Sequence, residues 1–118
     1  MTEKSIMIGP ADPGWEPTLP DVARDVASVL GHDLSPVPGD DMFQGGTDTS
    51  YAWLSLERSD EEPFRSHSFD LEFSAPGEPD EALANALFDR LADLGRYRLI
   101  LLLDHACVRS THFPCEQW

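Results

Sequence analysis

Positive charge is scarce in this chain. Eight Lys and Arg stand against 22 Asp and Glu in 118 residues, a formal net charge of −14, and Lys4 is the single lysine. That balance favours solubility and repels polyanions, so a basic footprint for nucleic acid or for an anionic membrane surface is not expected. A field of this sign draws cations and basic proteins instead. Cysteine is nearly absent: only Cys107 and Cys115 occur. The opening Met1-Thr-Glu-Lys-Ser-Ile-Met-Ile8 lacks a basic stretch leading into a long apolar one, so no export signal is expected. No apolar run approaches the length of a membrane span. With those signals lacking, the expected location is cytoplasmic, where free thiols are the default. Catalytic signatures are lacking as well. There is no G-x-S-x-G, no H-E-x-x-H and no P-loop, and Gly45-Gly-Thr-Asp-Thr49 resembles a phosphate loop only without its lysine.

What is present reads as one domain, residues 1–118, with no repeat or low-complexity tract. A chain of this size folds without requiring a metal or a disulfide. Turn residues cut it into six elements. Lys4 to Ile8 is a short apolar strand, stopped by Gly9-Pro-Ala-Asp-Pro-Gly14. Leu19 to Leu30 carries Val22, Val26, Val29 and Leu30 on one helical face, with Thr18 as N-cap, Asp21 in the capping-box position and Gly31 as C-cap. Residues 32–50, rich in Pro and Gly, form a long loop.

Ser50 to Arg58 alternates, with Ala52, Leu54 and Leu56 on one face. After a turn over Ser59 to Phe64, Phe69, Leu71 and Phe73 alternate in the same way, and the two strands pair as an antiparallel hairpin. Pro76 to Pro79 ends the sheet, and Asp80 caps a helix running to Leu94 with Leu83, Leu87, Leu91 and Leu94 in register. The last strand, Tyr97 to about Val108, is apolar on both faces around Leu99-Ile-Leu-Leu-Leu103, so its second face needs cover. Residues 109–118 are a tail. The order β-α-β-β-α-β predicts an α+β, ferredoxin-like sandwich: a four-stranded antiparallel sheet with both helices on one face. Its last strand would be an edge, so either the strand order differs or that strand is covered by the tail or by a second copy in a homodimer.

Three constellations could carry function. His105, Cys107, His112 and Cys115 offer two imidazoles and two thiols, which admit zinc, a disulfide or no ligation; the H-x-C-x4-H-x2-C spacing matches no zinc pattern, and the stretch reads as a strand end and tail. An Asp104-His105 dyad is disfavoured because neighbours on a strand point to opposite faces. No catalytic residue and no cofactor are therefore expected. The third is the outward face of the hairpin, with Tyr51, Trp53, Glu57, Asp70 and Glu72, extended by Asp40 and Asp41 and by Asp60, Glu61 and Glu62. Aromatics ringed by carboxylates suit Arg and Lys side chains of a basic protein. The plainer alternative is that Tyr51 and Trp53 pack under the long loop. Asp21 with Asp25, and Asp89 with Asp93, are like-charge pairs one helical turn apart, which cost stability.

In size, acidity and expected topology the chain resembles the immunity proteins of bacterial polymorphic toxin systems. That resemblance implies a non-catalytic protein that neutralises a basic toxin domain by covering it with carboxylates. Ile8-Gly-Pro-Ala-Asp-Pro-Gly14 followed by Leu19-Pro-Asp-Val-Ala-Arg-Asp-Val-Ala-Ser-Val-Leu30 is similar to the opening of ACT domains, with Trp15-Glu-Pro-Thr18 inserted between turn and helix. This second resemblance implies a dimeric regulatory module binding a small molecule. A dimeric α+β barrel enzyme would share the expected topology.

Overall fold

The computed structural model describes residues 4–46, 51–74 and 80–118. Among these, β1 (Lys4–Pro10), β2 (Ser35–Pro36), β3 (Met42–Gly46), β4 (Tyr51–Leu56), β5 (Phe69–Ser74), β6 (Tyr97–Leu103) and β7 (Ala106–Ser110) form one sheet, with helices α1 (Leu19–Leu30) and α2 (Asp80–Asp93). Every pairing is antiparallel, and the spatial order is β2-β3-β4-β5-β1-β6-β7. The four-stranded ferredoxin-like sandwich expected from the sequence is thus corrected: the sheet has seven strands, and β6 is not an edge.

The three additional strands escaped notice for physical reasons. β2 and β3 lie in the stretch read as a loop, because Pro and Gly normally break strands. At a sheet margin, however, Pro36 forfeits no interior ladder bond, and Gly45 is required: a Cβ there would sit 2.1 Å from the carbonyl oxygen of Asp33. β7 was hidden in what reads as the continuation of β6. The chain reverses at Asp104 and His105, which take φ of 50° and 67°, left-handed values that favour tight hairpins and are usually carried by Asn-Gly. Leu102 then pairs with Cys107 and Leu103 with Ala106. The Pro76 to Pro79 break, the side chain of the expected cap Asp80, Ser50 and the Thr47 to Thr49 part of the phosphate-loop candidate lie outside the described residues.

One core fills the space between the sheet and both helices. Ile6 and Ile8, Ala52 and Leu54, Phe69, Leu71 and Phe73, and Leu99 and Leu101 meet Val22 and Val26 of α1 and Ala84, Leu87, Phe88 and Leu91 of α2. α1 starts in the capping box read from the sequence: Asp21 N–H donates to Thr18 Oγ1 at 3.3 Å, and Thr18 N–H to Asp21 Oδ2 at 3.0 Å. These bonds hold the Asp21 carboxyl below its ordinary pKa. Gly31 closes the helix at φ 83°. The like-charge partners have separate duties. Asp25 accepts from the Tyr97 hydroxyl at 2.5 Å and from Arg96 Nη1 at 3.1 Å. Asp89 accepts from Arg109 Nη2 at 2.8 Å, while the same guanidinium lies 4.3 Å over the Phe88 ring and ties β7 to α2. Burial first, and the bond to Asp25 second, push the Tyr97 phenol well above its usual range.

The opposite face of the sheet carries neither α1 nor α2. Over β1 and β6 it is apolar, with Met7, Ile100 and Leu102 buried, and the C-terminal tail covers it through Cys107 and Phe113. Two links fasten the tail. Cys107 and Cys115 form a disulfide, with Cα atoms 5.3 Å apart, and Trp118 Nε1 donates to the His105 carbonyl at 2.8 Å. Trp118 also stands edge-on to Phe64 and Phe113, at 5.8 and 6.3 Å between centroids.

Candidate partner-binding face

The helix-free face is organised in rows that run across the strands. Gln44 lies opposite Trp53, Trp53 opposite Glu72, Glu72 opposite Ser5, Ser5 opposite Leu102, and Leu102 opposite Cys107. A second row runs through Met42, Ser55, Asp70, Met7 and Ile100. The carboxylates Glu72 and Asp70 lie on β5, and the rows turn apolar at Met7 on β1 and at Ile100 and Leu102 on β6. The tail covers the apolar end, leaving the acidic and aromatic end open. Because β2 and β3 extend the sheet sideways, the described part of the 32–50 segment does not fold over Trp53 and Tyr51. These remain 40% and 44% exposed and lean on each other, tilted by 41° with 4.7 Å between centroids.

The face brings together some of the expected residues. Glu57, Asp70 and Glu72 border one groove of about 390 Å³, along with Phe64, His67 and Trp118. Tyr51 and Trp53 lie outside this groove, although Trp53 is the cross-strand neighbour of Glu72. Asp40 and Asp41 are exposed in the turn between β2 and β3, where the Asp41 carbonyl accepts from Leu56 N–H at 3.0 Å. Asp60, Glu61 and Glu62 are exposed on the segment between β4 and β5; Glu61 N–H donates to Ser59 Oγ, and Glu62 accepts from the Ser66 hydroxyl. They border the groove in neither case.

His105, Cys107, His112 and Cys115 do not converge as ligands. Cys107 and Cys115 bond to each other, and His112 Nδ1 lies 2.7 Å from Thr111 Oγ1. Among the described residues, no group of three or more His, Cys, Asp or Glu could hold a metal. The junction of the two sulfurs also removes the thiol argument for a cytoplasmic location. Among the described residues no helix is long and apolar enough to cross a membrane.

Sequence reasoning missed three residues of the groove. Phe64 and Trp118, each 40% exposed, were assigned to a turn and a tail. Their aromatic character was the available signal; their meeting depends on the tail folding back. His67 is 4% exposed, with Nδ1 donating to the Pro63 carbonyl at 2.9 Å. That bond fixes the proton on Nδ1, so the neutral ring presents a bare lone pair at Nε2, which has no partner among the described residues. Burial holds the ring's pKa below its ordinary value, against the opposing effect of the Pro63 bond. No family model, curated protein or solved structure matches the chain.

Proposed function

We propose that this chain is a non-catalytic binding protein that neutralises a basic protein partner, acting as a toxin immunity protein does, by occlusion and charge complementarity. The observation that carries the reading is the divided sheet face. A chain with a net charge of −14 leaves two adjoining, exposed aromatics next to Glu72 and Asp70 on the half of that face its tail does not cover. Aromatic anchors beside carboxylates receive Arg and Lys side chains through cation-π contacts and charge-assisted hydrogen bonds. The negative field of the whole chain would speed the encounter. The case for a regulatory homodimer loses its main support, because the exposed apolar flank of β6 that called for a second copy is covered by Phe113 and Cys107.

The test is capture from a lysate of the source cell on immobilised wild-type chain and on Tyr51→Ala and Trp53→Ala variants, followed by association kinetics of the captured protein across salt. A basic protein retained by wild type, lost on both variants, and associating more slowly as salt rises is the expected result. A partner indifferent to salt and to both substitutions would refute the reading.

A further inference from the structure

The few basic residues are unevenly placed. Arg96 pairs with Asp25, Arg109 pairs with Asp89, and Arg90 donates to the Val29 carbonyl at 3.4 Å. Arg58, Arg65 and Arg98 behave differently. All three border one cleft of about 810 Å³ between the β1–α1 connection and the segment linking β4 to β5. Among the described residues, none of their guanidinium groups has a hydrogen bond or ion pair, and the Nε of Arg98 is buried without a partner. In a chain with 22 carboxylates and 8 basic side chains, random placement would pair an arginine readily. Three guanidinium groups without a protein acceptor on one cleft can together receive an anion.

The rest of the cleft fits that purpose. Glu16 and Glu62 also border it, but Glu62 is engaged by the Ser66 hydroxyl, so positive charge predominates. Thr18, Ser66 and Ser68 add hydroxyls, and Trp15, half-buried against Tyr97 at 5.6 Å, supplies an aromatic wall. The wall carrying Arg65 is held fixed, because the Ser66 carbonyl sits so close over Gly9 that a Cβ there would be 1.7 Å from its oxygen. The volume lies within the range of small-molecule sites, about 300–1,000 Å³. Guanidinium groups grip oxyanions by paired N–H donors, and several of them around one group suit a multiply charged tetrahedral oxyanion better than a single carboxylate.

We infer that the Arg58, Arg65 and Arg98 cleft binds a phosphorylated small molecule. This site adjoins the acidic groove at Arg58 and Ser68 and is opposite to it in sign. The chain's overall charge repels anions, so saturable anion binding at fixed ionic strength reports a built site rather than a general field.

The experiment follows thermal unfolding and amide and indole NMR shifts while adding inorganic phosphate, pyrophosphate, succinate or a phosphoserine-containing hexapeptide, with sodium chloride holding ionic strength constant. Pyrophosphate should raise the melting temperature with saturation and shift the Trp15 indole and the amides of residues 64–68. Arg65→Gln and Arg98→Gln should each weaken binding at least about tenfold, the loss expected for a charge-assisted hydrogen bond. Arg24→Gln, at an exposed position on α1 away from the cleft, should leave binding unchanged. Arg65 is exposed, so its variant keeps the test decisive if Arg98→Gln disturbs the fold. The inference is overturned if pyrophosphate fails to saturate, or if Arg24→Gln weakens it as much as the cleft variants do. Succinate binding as tightly would overturn the phosphate class, and the peptide binding more tightly would overturn the small-molecule class.

Discussion

Replacing both Cys107 and Cys115 with Ser should cost stability while leaving the main core intact. The bridge closes a loop of sequence separation 8, and the chain-entropy relation assigns a closure of that size about 2.5 kcal/mol. For a 118-residue domain the unfolding entropy near the midpoint is about 0.25 kcal/mol per kelvin, so the midpoint should fall by roughly 10 °C. The main core is spared because the bridge touches only the second, smaller cluster of Met7, Ile100 and Leu102. What loosens first is the cover: Phe113 and Trp118, held otherwise by edge-on ring contacts and the Trp118–His105 hydrogen bond. The assay is urea and thermal unfolding of wild type, of reduced wild type and of the double variant, with a thiol count on the folded and denatured oxidised protein. Reduced wild type and the double variant should coincide. Two titratable thiols in denatured, unreduced protein, or a stability loss under about 0.5 kcal/mol, would refute the reasoning.

Two further outcomes follow from the segment between β4 and β5. Gly9→Ala would drive a Cβ into the Ser66 carbonyl at 1.7 Å, backbone against backbone, so unfolding measurements should show a loss of roughly 3 kcal/mol. Gly31→Ala, with open space but φ of 83°, should lose only about 1 kcal/mol. The second outcome concerns pH. The folded-state pKa of His67 lies below the ordinary histidine value of 6.5, chiefly through burial, with Arg98 and His112 lowering it further and the Pro63 bond and Glu62 opposing them. As pH falls through 6.5 the unfolded chain therefore takes up a proton that the folded ring refuses, and stability drops. The slope is at most about 1.4 kcal/mol per pH unit. His67→Gln should remove that component, so its stability deficit relative to wild type should shrink between pH 7 and pH 5.5; a constant deficit would show that burial of the ring is not what the titration reports.

Local patterns in the sequence were legible wherever one element supplied both sides of an interaction. The Thr18–Asp21 box, the Gly31 cap and the inward alternation of Ala52 and Leu54 against Phe69, Leu71 and Phe73 could all be read because their signals lie within one helix or one hairpin. The Trp53–Glu72 pairing follows from that hairpin's register. What remained hidden depends on residues distant in the chain. Asp25 is excused from its repulsion with Asp21 by Arg96 and Tyr97, some seventy residues on. Asp89 is excused from repelling Asp93 by Arg109, which reaches it only because the chain doubles back at Asp104 and His105. That turn uses neither Gly nor Asn, so its signal was weak; the same omission lost β7, the tail's path and the Trp118 wall of the groove, and left the disulfide one of three readings of Cys107 and Cys115.

The charge count itself needs the same correction. A net −14 describes the potential at distances where individual side chains blur, and from it follows the repulsion of long polyanions. At physiological ionic strength, charges separated by more than about 8 Å are largely screened. Inside a cleft the nearest groups decide, and at this one they are three arginines without carboxylate partners. Arg58 stands where the two environments meet, bordering both the arginine cleft and the groove of Glu57, Asp70 and Glu72. The segment that carries it is fixed at both ends of its path: Glu57 N–H donates to the Ser68 carbonyl at 2.7 Å, and the Ser66 carbonyl presses on Gly9. A composition that disfavours a polyanionic partner is therefore compatible with a small anion bound close to the surface that would receive a basic protein, because the two inferences concern different length scales of one charge distribution.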